Sequence, residues 1–530
     1  MTAVLAPVLA LRGETAPAVI DERGVTSWGA LDERVTRLVR ALRARGLEVG
    51  DTVVAMLGNQ VELVEVSLAC AHGGWALVPV NWHWVARELA YVLDDAGAAA
   101  LIVDERWLPV AVDALAQAEV PGLRARLLVR RELARDEGGE GFEDLDGAIA
   151  EERSAELEDP QRGGPMFYTS GTTGWPKGVR STLTATGGPP EVLTLIAHSM
   201  APTLGVPVDE AHERVQLVCG PMYHSAQWVF AIAPLVCGAT LVLQQRFDAA
   251  AVLDAIERHG VTNTHLVPTQ FVRLLDLPEE VRAAADTSSL VQVMHGAAPC
   301  APAVKRAMVE WWGPKITEYY GGTEGGFLSL ITASEWLERP GSVGKPLEVV
   351  EVAIIGPDGE RQPPGEPGEI WFRSLLGSDF EYHNAPDKTA SAHREGGFGT
   401  LGDVGYLDVD GYLFLSDRKI DMVVSGGVNI YPAEVEHALA EHAAIADVAV
   451  FGVPNDEMGE SVHAAVALRS GVAWSDDLQA ELDAFCRDRL AGYKRPRSWE
   501  VHDELPRSEA GKLTKRVLRD PWWADVDRTI

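Results

Sequence analysis

The chain has 530 residues, more than one hydrophobic core usually supports, so we expect at least two domains. An apolar fraction of 46% and a charged fraction of 23% are ordinary for a folded globular protein and exclude a chain that is disordered throughout. A net charge of −32 excludes a broad nucleic-acid-binding surface, because such a surface needs clustered Lys and Arg. A local basic pocket for a small anion is compatible with this charge.

The cysteines and the apolar segments indicate where in the cell the protein is expected to be. The five cysteines lie far apart and include no CxxC pair, so neither a disulfide framework nor a zinc site is indicated. The apolar residues 1–10 are too short, and lack the basic leader, for a signal peptide. No run approaches the ~18 apolar residues of a membrane helix. We therefore expect a cytoplasmic protein without an integral membrane segment, and peripheral membrane contact stays open.

The first third of the chain alternates helical and strand patterns. Ser27 is a candidate N-cap for a helix with apolar spacing through Leu42, and Gly46 follows that helix. The elements predicted after it are strands at residues 51–57, 76–80 and 101–103, with a helix at 61–72. This alternation predicts an α/β fold in which helices cover parallel sheets.

The composition and the predicted elements change along the rest of the chain. Residues 130–165 are acidic and contain glycine, and we interpret them as a surface connection. From about Glu348, short strands separated by Gly- and Pro-rich turns predict an antiparallel or barrel-like subdomain. Beyond Asp417, helices and strands again alternate over a shorter length. We therefore predict an N-terminal domain of residues 1–416 and a C-terminal domain of residues 417–530.

The sharpest local signal is the segment of residues 168–178, Tyr-Thr-Ser-Gly-Thr-Thr-Gly-Trp-Pro-Lys-Gly. Glycines let successive backbone N–H groups face an anion, and hydroxyls with a lysine add donors for phosphate oxygens. The spacing is not that of the common GxxxxGK[ST] loop, and no helix is predicted after Lys177. A flexible linker is the alternative, but hydrophobic strands flank the segment. We interpret it as a phosphate-binding loop.

Other segments carry candidate ligand-binding residues. They are residues 221–225 (Pro-Met-Tyr-His-Ser), 295–299 (His-Gly-Ala-Ala-Pro), 319–324 (Tyr-Tyr-Gly-Gly-Thr-Glu), 400–405 (Thr-Leu-Gly-Asp-Val-Gly), 416–436 and 506–515. Taken singly, most of them are weak evidence. His224 alone reads as an ordinary structural histidine, Asp403 as a turn cap, and Lys512 as part of a basic tail. Their order along the chain is far more specific than any one of them.

With these segments in this order, the chain resembles the adenylate-forming superfamily over roughly residues 18–520. That family includes acyl-CoA synthetases, adenylation domains of peptide synthetases and beetle luciferases, and the acyl-CoA synthetase or fatty-acid–CoA ligase branch is the best match. The resemblance implies a large N-terminal domain of parallel-sheet α/β subdomains plus a small β-barrel-like subdomain. It also implies a small, mobile C-terminal α+β domain.

The resemblance further implies a site for ATP and Mg²⁺. Phosphate contacts are expected from Thr169, Ser170, Gly171, Thr172, Thr173, Gly174 and Lys177. The nucleoside is expected to contact Gly296, Ala297, Ala298, Tyr320, Gly321, Asp403 and Arg418. Thr323 would contact the α-phosphate and Glu324 would bind the metal, which suits the preference of Mg²⁺ for carboxylate, phosphate and water oxygens.

The remaining implied roles concern the acid and the thiol. Lys512, His224 and Thr323 are the expected catalytic residues, with Lys512 bridging the carboxylate and the α-phosphate. The expected acyl pocket comprises His224, Trp228, His265, Tyr319 and Gly325. Gly426 and Gly427 would line a tunnel for coenzyme A, and Asp417, Lys419 and Ile420 would form a hinge. Ile420 departs from the family, which usually has a charged residue there.

The leading hypothesis is an ATP-dependent acyl-CoA ligase that activates an apolar acid, whether fatty, aromatic or alicyclic. One alternative is delivery of the acyl group to a carrier-protein thiol instead of coenzyme A. A second is an enzyme specialised in one half-reaction, suggested by Ile420 and by the bulky Trp175 in the phosphate loop. A third is a nucleotide-binding scaffold, which Lys512 and Glu324 disfavour. A homodimer is a further expectation from the family.

Overall fold

The computed structural model describes the whole chain except residues 1, 3, 131–140, 170–174, 419–420, 426–427, 431, 456–457, 491, 508–512 and 525–530. The predictions for Ser170 to Gly174, Lys419, Ile420, Gly426, Gly427 and Lys512 therefore lie outside the described residues. Among the residues that are described, no helix is both long and apolar enough to cross a membrane.

The first part of the chain is built mainly from strands followed by helices. Its elements are α1 (Ala6–Arg12), β1 (Pro17–Asp21), β2 (Gly24–Ser27), α2 (Trp28–Ala44), β3 (Thr52–Met56), α3 (Val61–Gly73), β4 (Ala76–Pro79), α4 (Ala86–Asp95), β5 (Ala98–Asp104), α5 (Leu108–Leu115), β6 (Ala125–Val129), β7 (Glu143–Asp144), α6 (Leu145–Ala150) and β8 (Gly164–Pro165). The predicted cap is present, since the Ser27 hydroxyl accepts a hydrogen bond from the backbone N–H of Ala30.

The middle part continues the alternation. Its elements are β9 (Phe167–Thr169), β10 (Lys177–Ser181), α7 (Glu191–Met200), β11 (Val215–Val218), α8 (Ser225–Cys237), β12 (Thr240–Leu243), α9 (Ala249–His259), β13 (Asn263–Leu266), α10 (Pro268–Leu275), α11 (Glu279–Ala284), β14 (Gln292–His295), α12 (Pro302–Trp312), β15 (Ile316–Gly322), β16 (Gly326–Thr332) and α13 (Ala333–Glu338).

The last part is richer in strands. Its elements are β17 (Ser342–Pro346), β18 (Val350–Ile355), β19 (Gly368–Ser374), β20 (Phe380–Tyr382), α14 (Pro386–Ser391), β21 (His393–Arg394), β22 (Phe398–Leu407), β23 (Leu413–Arg418), β24 (Val423–Ser425), β25 (Val428–Ile430), α15 (Pro432–Ala440), β26 (Ile445–Asn455), β27 (Gly459–Leu468), α16 (Asp476–Arg489), β28 (Ser498–His502) and α17 (Lys515–Trp523).

Two large sheets carry the N-terminal part, which confirms the predicted α/β class. A six-stranded sheet has the order β7-β6-β5-β3-β4-β8, and its strand pairs are parallel. In a 14-stranded sheet, the strands that lie in the order β12-β11-β13-β14-β15 pair in parallel. The strands that continue in the order β15-β16-β17-β23-β22-β19-β18 pair antiparallel. The antiparallel strands predicted after residue 348 are present, and the pairing of β23 with β17 joins them, through β16 and β15, to the parallel strands.

The prediction of a mere surface connection at residues 130–165 was wrong. This stretch contains β7, α6 and β8, and the side chains of Leu145 and Ile149 are only 2% and 3% exposed. Asp144 caps α6 by accepting from the N–H of Gly147 at 2.8 Å. The acidic composition hid a short helix whose apolar residues, four apart, face the core.

The C-terminal residues form a separate five-stranded sheet of order β25-β24-β27-β26, with β28 on β27. Its core joins α15 and α16 through residues such as Leu439 and Leu482, both fully buried. Strand β23 belongs to the 14-stranded sheet and β24 to this smaller one, so the sheets change between Arg418 and Val423. The exact division at residues 416 and 417 stays a prediction.

Candidate active site

The centre of the site is the turn between β15 and β16. Because side chains alternate along a strand, Tyr319 and Tyr320 point to opposite faces of the sheet. Tyr319 packs in the large N-terminal core, whereas the Tyr320 hydroxyl donates to Oδ2 of Asp403 at 2.7 Å. A Cβ on Gly321 would lie 1.9 Å from the carbonyl oxygen of Gly326, so only glycine fits there. The structure thus brings Tyr320, Gly321 and Asp403 together.

The predicted ribose residues are also neighbours. Asp403 on β22 lies opposite Arg418 on β23 in the antiparallel ladder. Residues directly opposite in an antiparallel ladder are backbone neighbours on adjacent strands. Asp417 precedes Arg418 at the end of β23.

The first residues of α8 approach the same turn. His224 is the N-cap residue of this helix, and its ring packs against that of Tyr223, with centroids 4.6 Å apart. The hydroxyl of Ser225 lies 2.9 Å from the hydroxyl of Thr323. The predicted catalytic residues His224 and Thr323 therefore belong to one neighbourhood. Ser225 was not singled out in the sequence, although it directly follows the histidine of the motif.

On the other side of the turn, Glu324 faces β10 and β20. The hydroxyl of Tyr382 donates to Oε1 of Glu324 at 3.1 Å. The ammonium of Lys177 lies 5.5 Å from the centroid of the Tyr382 ring. Burial lowers the pKa of Lys177, and the neighbouring cation Lys388 lowers it further, while Glu324 acts in the opposite direction. Cationic and anionic groups thus meet where the phosphates and the metal are predicted.

The donor set suits Mg²⁺. The described residues contain no group of three or more His, Cys, Asp and Glu side chains placed to hold a metal. Mg²⁺ in nucleotide sites commonly uses one or two carboxylates and takes its other ligands from phosphate and water. Glu324, held by Tyr382, fits that requirement.

The predicted phosphate loop follows β9 and precedes β10, and these two strands pair with each other. Thr169 at the end of β9 lies opposite Lys177 at the start of β10. Trp175 packs on the ring of Tyr91 in α4, with centroids 4.7 Å apart, and the guanidinium of Arg87 lies 4.9 Å from the Trp175 centroid. The bulky Trp175 is therefore docked on α4. As predicted, no helix follows Lys177.

A second contact ties the loop strands to α4. The hydroxyl of Tyr168 donates to Oδ2 of Asp95 at 2.6 Å. The amide of Asn384 donates to the carbonyl oxygen of Asp95 at 2.9 Å. The end of α4 thus braces both β9 and the segment that follows β20.

The predicted adenine-side turn lies against Tyr319. A Cβ on Gly296 would lie 2.7 Å from the Tyr319 ring, and Ala297 has a left-handed φ of 66° that is unusual for a residue with a side chain. Ala298 follows directly. The backbone of this turn therefore passes close over an aromatic ring.

The predicted acyl residues do not all lie together. His265 and Tyr319 are joined, since Nε2 of His265 lies 3.1 Å from the Tyr319 hydroxyl. Trp228 turns toward α3, where its indole N–H donates to the hydroxyl of Ser67 at 3.0 Å. A Cβ on Gly325 would lie 2.7 Å from the ring of Phe372, so this glycine packs toward the antiparallel strands and not toward His265.

Comparison with known proteins identifies the family. The protein-family model described as "AMP-binding enzyme" matches residues 10–376, and the family model described as "AMP-binding enzyme C-terminal domain" matches residues 434–512. The chain belongs to the AMP-binding enzymes.

Relatives of this AMP-binding enzyme are acyl-CoA ligases and related enzymes. It is 36% identical over 502 residues to a feruloyl-CoA synthase of Amycolatopsis sp., covering 93% of both chains. It is 30% identical over 522 residues to the fatty acid–[acyl-carrier-protein] ligase ScoC of Streptomyces coeruleorubidus, covering 97% of this chain and 95% of that one. This AMP-binding enzyme is therefore an AMP-forming acid–thiol ligase of the acyl-CoA synthetase branch.

A solved structure supports the fold of this AMP-binding enzyme. It superposes on the o-succinylbenzoate CoA synthetase MenE of Bacillus subtilis, solved in complex with its acyl-adenylate intermediate, with a TM-score of 0.80 and 28% identity. The match covers 98% of each chain.

Several site residues of this AMP-binding enzyme carried no signal in the sequence. Tyr382 and Lys388 lie far beyond the β15–β16 turn in the chain, and β20 contains no motif. Gln227, whose amide contacts His265, lies just after the His224 motif, where helical spacing could have indicated it.

Proposed function

We propose that this enzyme uses ATP and Mg²⁺ to convert a carboxylic acid into an acyl-adenylate, and then transfers the acyl group to coenzyme A. One observation carries the proposal. The β15–β16 turn places Thr323 and Glu324 between Ser225 at the start of α8 and Tyr382 beside Lys177. Such a turn can contact the acid on one side and the triphosphate on the other.

In the first half-reaction, an oxygen of the carboxylate attacks the α-phosphorus while the bond to the bridging oxygen breaks and pyrophosphate leaves. Lys177 neutralises charge on the β- and γ-phosphates, and Tyr320 with Asp403 holds the nucleoside. Mg²⁺ bound at Glu324 would offset charge on the phosphate oxygens. Lys512, the predicted bridge between carboxylate and phosphate, stabilises the charge that develops there.

In the second half-reaction, the C-terminal residues turn about the segment 417–420 and replace Lys512 with the face that carries Gly426 and Gly427. The thiolate of coenzyme A attacks the adenylate carbonyl carbon, and AMP leaves with the bonding electron pair. Glycines there would leave space for a narrow thiol-bearing arm. Ile420 in place of a charged residue still permits rotation, because a hinge acts through its backbone angles.

The choice of coenzyme A as acceptor is supported by the named feruloyl-CoA synthase, the more similar of the two relatives described above. Transfer to a carrier-protein thiol is the second candidate, favoured by the likeness to ScoC. The two acceptors can be compared in one assay that offers either coenzyme A or a phosphopantetheinylated carrier protein. A higher kcat/KM with the carrier would replace coenzyme A in the proposal.

The whole proposal is tested with purified protein, ATP, Mg²⁺, coenzyme A and a panel of fatty, aromatic and alicyclic acids. We expect acid-dependent formation of AMP and an acyl-CoA, identified by mass spectrometry. Lys512→Ala should lower the rate at least ~100-fold, because it removes charge stabilisation at the reacting atoms. The matched control Lys494→Ala, which removes a surface pair with Glu434, should leave the rate near that of the wild type. No acid-dependent AMP from the folded protein would contradict the proposal.

A further inference from the structure

Four aromatic rings pack together next to the β15–β16 turn, and we call them the ring floor: Phe230 of α8, His265 of β13, Tyr319 of β15 and Phe327 of β16. Phe230 stacks on His265 with centroids 4.5 Å apart and an interplanar angle of 25°. Tyr319 meets Phe327 edge to face at 4.8 Å. These are the spacings of aromatic rings in direct contact.

The distance from the predicted reacting end to the ring floor follows from α8. At the reacting end, Ser225 touches Thr323, and at the floor, Phe230 touches Tyr319 and Phe327. Both contacts join the same helix to the same hairpin. Phe230 lies five residues after Ser225, which corresponds to about 7.5 Å of helix at 1.5 Å per residue. An acid that reaches from Thr323 to the ring floor would span about this distance, which suits a single ring better than an extended fatty chain.

The ring floor also has a polar edge. The Gln227 amide nitrogen lies 2.9 Å from Nδ1 of His265, and Nε2 of His265 lies 3.1 Å from the Tyr319 hydroxyl. Burial lowers the pKa of His265 to about 3, so its ring is neutral and carries one proton. If Gln227 donates to Nδ1, that proton is on Nε2 and is donated to the Tyr319 oxygen, which leaves the Tyr319 O–H hydrogen without an acceptor.

The other end of the Gln227 amide has no partner within the described part of the chain. Gln227 is only 4% exposed, and its Oε1 makes no hydrogen bond. Turning the amide around would pair the oxygen with His265 and leave the NH₂ group unpaired, so one polar end is unsatisfied in either orientation. A buried polar group of this kind is usually paired in a complete site.

We propose that the ring floor and Gln227 bind the far end of the acid, and that the acid is a compact planar ring carrying a hydroxyl group at the end opposite the carboxylate. This inference rests on the proposed function. A planar ring matches the aromatic surfaces of Phe230 and Phe327. A hydroxyl group both donates and accepts, so it can pair with Gln227 in either amide orientation and with the Tyr319 O–H.

The test is acid-dependent exchange of pyrophosphate into ATP, which reports the first half-reaction alone. The acids are cinnamic and 4-hydroxycinnamic acid, benzoic and 4-hydroxybenzoic acid, and hexanoic and dodecanoic acid. We expect the hydroxylated acid of each ring pair to exceed its partner in kcat/KM by at least ~10-fold, because sites built around a hydroxyl discriminate against its loss. Dodecanoic acid should be the poorest substrate.

Variants show which groups cause the preference. Tyr319→Phe and Gln227→Leu should each shrink the gap in kcat/KM between hydroxylated and plain ring acids, mainly by raising the KM for the hydroxylated acids. Tyr406→Phe is the matched control, since it also removes one phenolic hydroxyl but from a ring stacked on Phe414 in the antiparallel strands. The control should keep the full gap, and thermal unfolding should confirm that all variants are folded.

The results of these assays distinguish a failure of the ring-floor assignment from a failure of the proposed function. Preference for a fatty or plain ring acid, or a gap that survives Tyr319→Phe and Gln227→Leu, overturns the assignment of the ring floor and leaves the proposed function standing. Exchange with none of the acids contradicts the proposed function itself and this inference with it.

Discussion

The hydroxyl of Tyr382 donates to the carboxylate of Glu324 across 3.1 Å, which joins the short strand β20 to the turn after β15. The same tyrosine ring lies 5.5 Å from the ammonium of Lys177. Tyr382 therefore positions the predicted metal ligand and contacts the predicted phosphate cation at once.

Removing this hydroxyl should weaken the use of Mg²⁺. In Tyr382→Phe, Glu324 loses a donor that fixes its orientation, so we expect the Mg²⁺ concentration for half-maximal exchange to rise about 3- to 30-fold, in the lower range for loss of an outer partner of a metal ligand. The matched control is Tyr412→Phe, which removes a hydroxyl that donates to Oε1 of Glu335 in α13 at 3.3 Å. Equal effects of the two substitutions would contradict the role of Tyr382.

The docking of Trp175 on α4 should matter for ATP binding. Trp175→Ala frees the phosphate loop from Tyr91 and Arg87, so ATP must order a looser loop, and we expect the KM for ATP to rise about 3- to 10-fold. Arg87→Ala should produce a smaller change of the same sign.

A double-mutant cycle separates docking from unrelated effects. If Arg87 acts through Trp175, the two substitutions should be non-additive by about 0.5–1 kcal/mol in kcat/KM for ATP. Strict additivity would argue against the docking contact. A Trp175→Ala enzyme that gains in one half-reaction only, measured by pyrophosphate exchange and by turnover of ready-made acyl-adenylate, would favour the alternative of a half-reaction specialist.

The rate should fall earlier at alkaline pH than an ordinary lysine would allow. Burial, followed by Lys388, lowers the pKa of Lys177, and the neutral amine binds phosphate less well than the ammonium. Activity that needs the charged form is therefore present below this pKa and lost as the pH rises through it. Lys388→Gln removes the neighbouring cation, so the alkaline limb of kcat/KM for ATP should move to higher pH. A limb that stays in place would contradict this coupling.

A buried ion pair beneath the predicted adenine-side turn should govern stability. Lys305 Nζ lies 2.5 Å from Oε2 of Glu318, and both side chains are buried. Burial raises the pKa of Glu318 and lowers that of Lys305, and each charge partly offsets the shift of the other. Lys305→Met leaves a buried carboxylate unpaired, at a cost of about 3–5 kcal/mol.

The double substitution Lys305→Met with Glu318→Leu tests the pairing. Because no unpaired charge remains, we expect it to recover much of the thermal stability lost in the single variant. A double variant that unfolds at a lower temperature than Lys305→Met would show that the pair stabilises the fold in some other way.

The sequence was informative where the chemistry lies in contiguous motifs. Tyr320, Gly321 and Glu324 sit on one turn, and periodicity predicted the strands beside it. Tyr382 escaped notice because its contact with Glu324 spans 58 residues and depends on how β20 pairs with β10. Long-range pairing of short strands leaves little local pattern in a sequence.

Two other discrepancies have local causes. The short helix that begins at Leu145 was not predicted, because the average composition of the stretch is acidic and one pair of apolar residues changes that average little. Trp175 was noted as bulky for a phosphate loop, and the structure places its ring against Tyr91 and Arg87 of α4, which the sequence did not indicate.

The central claim is that the carboxylate attacks the α-phosphorus of ATP. The most direct test supplies the acid with oxygen-18 in its carboxylate, together with ATP, Mg²⁺ and coenzyme A. The mass of the nucleotide product is then measured by mass spectrometry. Adenylate chemistry predicts that AMP carries one labelled oxygen, because the carboxylate oxygen stays on phosphorus when the thiol displaces AMP. Unlabelled AMP, or ADP together with labelled inorganic phosphate, would contradict it.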